Sequence, residues 1–220
     1  MKKFLVIILF IFLNLTGCDQ PKEDTSKLND NSKDIKEDSV SQDTTEPKSN
    51  IKAIFEGNKN AKIKIKVFES LTCSHCADFH KNVYPNLKKD FIDKGHVYIE
   101  FRNFPLDMAA MNASKIAHCK NDGNPEILHY LFDNQKQWVK GKTIEELNQS
   151  IKKFIEQSSF KLDIEACLSN IEAEEHILED RIMGAKIFKV EATPTLIING
   201  EKFDNPSNYK KLKKFIEKLI

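Results

Sequence analysis

Lysine and aliphatic residues alternate along the chain just before its most polar motif: Lys62, Lys64 and Lys66 take turns with Ile63, Ile65 and Val67. A period of two marks a half-buried β-strand. Beyond residue 76 the period lengthens. Phe79, Val83, Leu87 and Phe91 recur four apart, which predicts a helix, and Pro85 predicts a kink within it. Gly95 ends that pattern. Val97, Ile99 and Phe101 then alternate with Tyr98, Glu100 and Arg102 as a second strand, closed by Phe104-Pro105-Leu106. Residues 107 to 188 show only helical patterns, with loops near 121–125 and 140–143. A third strand runs from Thr195 to Ile198, and Asn199-Gly200 predicts a two-residue hairpin turn into Glu201–Phe203. A last helix is expected over 206–220, with Pro206 in its first turn and Tyr209, Leu212, Phe215, Ile216 and Leu219 as its apolar face. The order is strand-helix-strand, a helical block, then a hairpin and a helix, an α/β arrangement without internal repeats.

The pattern before residue 51 differs. Lys2 and Lys3 precede an apolar run from Phe4 to Leu13, about half the roughly 20 residues that span a bilayer. It reads as an export signal. The run leads into Leu15-Thr16-Gly17-Cys18, which resembles a bacterial lipobox, with cleavage before Cys18 and lipid on its thiol. An ordinary secretory signal and an uncleaved anchor are the other readings. All three place the folded part outside the cytoplasm, where disulfides persist. Residues 18–50 read as a disordered tether. Between 19 and 50 there are five Lys against nine Asp and Glu, and the only aliphatic side chains are Leu28, Ile35 and Val40. As a coil the tether would span roughly 30 Å.

With 220 residues, 40% hydrophobic and 15 Phe, the chain can bury one sizeable core. A formal net charge of +1 argues against a nucleic-acid binder. Lys140-Gly141-Lys142-Thr143 lacks the preceding glycine and strand of a phosphate loop, and reads as a loop into a helix capped by Thr143.

The chemistry concentrates at Cys73-Ser74-His75-Cys76, between a strand and a helix. The backbone N–H groups and positive dipole end of a helix favour a thiolate there, and a protonated His75 would add charge beside it. If Cys18 carries lipid, four cysteines remain and allow three pairings. Local closure of Cys73 with Cys76 leaves Cys119 with Cys167, in a loop of 48 residues; the alternative is that Cys119 and Cys167 are buried free thiols. Cys73, His75, Cys76 and His80 could also form half of a zinc site, but no second close pair follows, so no metal or other cofactor is expected. His96, His118, His129 and His176 read as ordinary structural or surface residues, and Trp138 as core.

Residues 68–76, Phe-Glu-Ser-Leu-Thr-Cys-Ser-His-Cys, resemble the active-site segment of the DsbA-like thiol-disulfide oxidoreductases of the thioredoxin superfamily. Residues 191–200, Glu-Ala-Thr-Pro-Thr-Leu-Ile-Ile-Asn-Gly, resemble that superfamily's cis-proline segment, and residues 102–106 are also similar. The resemblance implies a thioredoxin fold over 51–106 and 189–220, with a helical domain inserted over 107–188. It implies a redox-active Cys73–Cys76 disulfide, His75 tuning Cys73, a cis Pro194 packed on both cysteines, and the Thr193 backbone pairing with substrate. The resemblance has departures. Ser74 stands where proline is common, Val67 where some members keep a buried acid, and His80 where some carry Glu. Thr193 before the proline is shared with isomerase relatives.

The expected function is oxidation of unfolded or reduced exported proteins, by a periplasmic monomer held by lipid, with Asp19 after Cys18 resembling an inner-membrane retention signal. The family implies reoxidation by a quinone-linked membrane partner. A reductase or isomerase, and a non-catalytic holdase, are the alternatives.

Overall fold

The computed structural model describes residues 50–220 of the chain. The segments expected to be an export signal and a tether, with Cys18, lie outside the described residues except for Asn50.

Five strands form one mixed sheet in the order β1-β3-β2-β4-β5: β1 Ile54–Gly57, β2 Ile63–Glu69, β3 Val97–Asn103, β4 Thr195–Ile198 and β5 Glu201–Phe203. β2 and β3 run parallel, with Ile65 opposite Ile99 and Val67 opposite Phe101; the other neighbours are antiparallel. The parallel pair needs a crossover. It is built from α1 Ser74–Asn82, α2 Tyr84–Leu87 and a π-helical turn at Lys88–Ile92. The expected single helix is therefore divided. Its break falls at Val83, and Pro85 occupies the first turn of α2, where its missing N–H costs nothing. β1 was not evident in the sequence. It is four residues long, and only Ile54 of it is buried.

The helical block comprises α3 Met108–Ala117, α4 Glu126–Asp133, α5 Gln135–Trp138, α6 Ile144–Glu156, α7 Ile164–Leu168 and α8 Ile171–Lys186. Their starts follow from side-chain caps: Asp107, Thr143, Asp163 and Asn170 each accept the backbone N–H three residues on. The final helix, α9, spans Tyr209–Glu217 and is capped by Asn208, so Pro206 lies ahead of it and not in its first turn. Asn199 and Gly200 both adopt positive φ at the β4–β5 turn, as a tight hairpin requires.

One large core lies between the sheet and the helices, with Ile65, Val67, Ile99, Phe79, Leu87, Ile116, Leu131, Trp138, Ile177 and Ile216 essentially without exposure. Trp138 donates its indole N–H to the Leu131 carbonyl at 2.8 Å. A buried polar network fastens α8 to β3. Asp180 accepts from the Arg102 guanidinium at 3.0 Å and from the backbone and side-chain nitrogens of Asn103 at 3.0 and 2.9 Å. His118 and His176 complete it, and burial lowers the pKa of both, His118 to about 4. Gly184 of α8 lets the helix approach closely, since a β-carbon there would stand 2.9 Å from the Phe68 ring. In the same block Cys119 and Cys167 are joined as a disulfide, with Cα atoms 5.2 Å apart.

Candidate active site

Cys73 is the N-cap of α1 and is half-buried; Cys76, one turn in, is fully buried. The loop before them is held from several sides. Cys73 N–H bonds to Ser70 O at 3.0 Å. The Gln135 amide of α5 donates to the carbonyls of Leu71 and Cys73 at 2.8 and 3.0 Å. Thr72 Oγ1 donates to Asp107 Oδ2 at 2.8 Å, the carboxylate that also caps α3. The helical block thus holds the cysteine loop through Gln135 and Asp107, which sequence reasoning did not single out.

The peptide bond between Thr193 and Pro194 is cis, and the Cys73 thiol donates to Thr193 O at 3.4 Å. Residues 120 apart in sequence therefore share the site. The Cys73 pKa is lowered to about 5. The chief cause is the hydrogen bond from the Cys76 thiol. Against partial burial, Thr193 and the backbone N–H groups of Cys76 and His75 lower it further. The Thr193 hydroxyl is buried with no other partner among the described residues, which leaves it available to the thiolate. The His75 side chain is exposed, and what His75 contributes to the Cys73 thiolate here is its backbone N–H. Cys76 behaves oppositely: burial, then the neighbouring Cys73 and Glu69, push its pKa upwards.

Glu69 is the residue that sequence reasoning missed. It ends β2, is buried, and lies within electrostatic reach of both sulfurs. Burial, and then the charge on Cys73, raise its pKa well above the usual carboxylate range. The acid sought at Val67 is thus supplied two residues later. The alternation held the signal, because Glu69 continues the inward face of Ile63, Ile65 and Val67. Its Oε2 shares a 2.7 Å hydrogen bond with His80 Nε2. His80 is fully buried in α1; burial lowers its pKa to about 3 and raises that of Glu69, so it disfavours the charged form of both partners in this contact. Neither His80 nor His129 is an ordinary surface residue. Their Nδ1 atoms are 3.1 Å apart.

Among the described residues no group of three or more His, Cys, Asp or Glu is arranged to hold a metal ion, and no helix is long and apolar enough to cross a membrane. His80, one of the four residues of the half-zinc reading, turns to Glu69.

Residues 49–218 match the family model described as Thioredoxin. A Rickettsia bellii protein, named provisionally as a protein-disulfide oxidoreductase, is 29% identical over 155 residues, which are 69% of this chain and 58% of that protein. The chain therefore spans a little over half the length of the Rickettsia relatives it matches. Disulfide bond formation protein D of Bacillus subtilis is 27% identical over 175 residues, covering 74% of this chain and 75% of that one. The crystal structure of Wolbachia pipientis alpha-DsbA1 superposes with a TM-score of 0.68 at 26% identity, covering 76% of this chain and 90% of that chain.

Proposed function

The chain belongs to the thioredoxin family, and from that premise we propose that it is a DsbA-like thiol-disulfide oxidoreductase whose working pair is Cys73 and Cys76. One observation carries the proposal: a thiol at a helix start, with its pKa lowered to about 5, beside a buried partner whose pKa is raised. Such asymmetry assigns the roles. A substrate thiolate attacks the half-exposed Cys73 sulfur of the disulfide, and Cys76 departs. A second substrate thiol then attacks the mixed disulfide and releases Cys73 as a thiolate. The two substrate thiols are oxidised and the cysteine pair is reduced.

A stabilised thiolate makes the reduced form the more stable one, which defines an oxidant. This supports oxidation of unfolded or reduced exported proteins over reduction or isomerisation. Thr193, beside the cis Pro194, offers its backbone to an extended substrate chain, a contact that tolerates many sequences. A protonated His75 adds a positive charge at the mouth of the site. The export signal and Cys18 support a lipid-anchored monomer in the periplasm, at the inner membrane by Asp19, recharged by a quinone-linked membrane partner.

Equilibration of the Cys73–Cys76 pair with a glutathione buffer is the test. An oxidising potential, well above that of thioredoxin, is expected; a thioredoxin-like value would make the protein a reductase. Cys73→Ser should abolish turnover, and retained activity in that variant would identify a holdase.

A further inference from the structure

The buried Cys76 leaves the disulfide as a thiolate and must gain a proton in a position without solvent exposure. The groups beyond Glu69 lie in a row that opens towards solvent. Glu69 Oε2 and His80 Nε2 are 2.7 Å apart, His80 Nδ1 and His129 Nδ1 are 3.1 Å apart, and His129 Nε2 lies 4.0 Å from Glu56 Oε2. Side-chain exposure rises along the row, from 4% and 1% at Glu69 and His80 to 21% and 24% at His129 and Glu56. The two ends of the buried part are open: Glu69 Oε1 and His129 Nε2 have no hydrogen-bond partner among the described residues. The rings are held in place. His80 stacks on Phe132 at 4.0 Å between centroids, and Tyr84 packs against His129 at 4.4 Å.

We infer that Glu69, His80, His129 and Glu56 form a proton relay that connects Cys76 to solvent along β2, α1, α4 and β1, apart from the face where substrate meets Cys73. The inference rests on the Cys73–Cys76 reading above. Glu69 is the group that serves the sulfur; His80 and His129 are positioning residues that act through it.

The protons balance in one arrangement of neutral rings. In the oxidised protein Glu69 carries its proton on Oε1, His80 donates Nε2–H to Oε2, and His129 donates Nδ1–H to His80 Nδ1. When the substrate thiolate forms its bond to Cys73, the Cys73–Cys76 bond breaks and the electron pair leaves with Cys76. Glu69 gives its Oε1 proton to that sulfur. Its Oε2 then takes the proton from His80 Nε2, His80 Nδ1 takes that of His129, and His129 Nε2 takes one from the Glu56 side. One proton has entered, no ring has become charged, and both rings have changed tautomer. The reduced state keeps this arrangement, because Oε2 holds the acid proton and the newly protonated Cys76 thiol donates to the Cys73 thiolate. Reoxidation sends one proton out along the same atoms and restores the first tautomers. Cys73 needs no proton, since it ends as a thiolate.

The surroundings suit neutral rings. Asp133 acts on His80 from α4; Glu56 and Lys88, themselves paired at 2.6 Å, act on His129 with opposite signs. Tyr84 hydrogen-bonds Glu56, fixing the outer carboxylate. No one charge holds a proton on the row.

Nitrogen-15 NMR of the histidine rings in the unaltered protein tests this. The expected result is Nε2–H on His80 with Nδ1–H on His129 in the oxidised form, exchanged in the reduced form. Identical tautomers in both forms overturn the relay. His129→Phe should slow reduction by dithiothreitol about tenfold, while the glutathione equilibrium moves less than about twofold. An unchanged rate in that variant also overturns it. If instead the native Cys73–Cys76 pair fails to cycle with glutathione at all, it is the underlying oxidoreductase reading that falls.

Discussion

At Cys73 the thiolate is stabilised by four donors, two of them backbone N–H groups that no substitution short of proline removes. Side-chain changes there should act according to the donor they delete. Thr193→Val removes a hydroxyl without altering volume, and a hydrogen bond to a charged group lost in this way should raise the Cys73 pKa by about 1 unit. His75→Ala leaves its N–H in place and should raise it less. Thiolate absorbance followed against pH in both variants checks the order. The same titration governs stability. A folded-state pKa of about 5 against an ordinary thiol value of 9.0 means that the reduced protein is favoured fully above pH 9, progressively less below it, and not at all below about pH 5. Oxidised protein has no such group. The difference in Tm, reduced minus oxidised, should therefore shrink as pH falls from 9 to 5. The cysteines, Thr193 and Pro194 were legible as letters in a spacing. Glu69 was harder to read: it is in phase with the alternation, but a carboxylate at the end of a strand looks like the first residue of a loop. His80 and His129 were not legible, since 49 residues separate them and only the packing of α1 on α4 makes them neighbours.

Among the elements, strands with a clean period of two were readable, and so was the turn at Asn199-Gly200. What escaped was β1, whose Ile54 and Phe55 sit beside Glu56 without alternation long enough to stand out, and the break at Val83. Both are settled by neighbours: β1 by pairing with β3, the break by the π turn that leads the chain back to the sheet. The contact between α8 and β2 is equally invisible in sequence, and it offers a sharp test. Gly184→Ala places a methyl 2.9 Å from the Phe68 ring and 3.1 Å from Phe104. Both rings are buried on the far side, so overpacking should cost about 1–3 kcal/mol in urea unfolding. Ordinary helix propensity predicts the opposite sign, a gain of up to about 1 kcal/mol for replacing glycine with alanine.

For the whole molecule, the helical block does more than enlarge the core. Its Gln135 and Asp107 hold the cysteine loop, and its Asp180 grips β3. Loosening the block should therefore be felt at the site. The Cys119–Cys167 disulfide closes a loop of 48 residues inside it. Replacing both cysteines with serine should lower stability by roughly 4 kcal/mol in chemical denaturation. Activity at temperatures well below the new midpoint should survive, since neither sulfur touches Cys73. Loss of activity without loss of stability would contradict that separation.

Cys73 and Thr193 meet across 120 residues of chain, and Cys167 lies between them in sequence. A ribosome makes the parts in order. With Cys18 set aside as the proposed lipid site, Cys73, Cys76 and Cys119 exist before Cys167, and these four thiols exist before Thr193-Pro194 arrives to cover the site. Before Cys167 is made, the three sulfurs of the folded part compete for two places in one bond. The two that are three residues apart meet far more often than either meets a thiol more than forty residues away. The working pair thus closes on itself first and leaves Cys119 waiting for the one partner yet to be made. A protein proposed to oxidise others would, by the spacing of its own cysteines, also keep its birth free of a wrong bond.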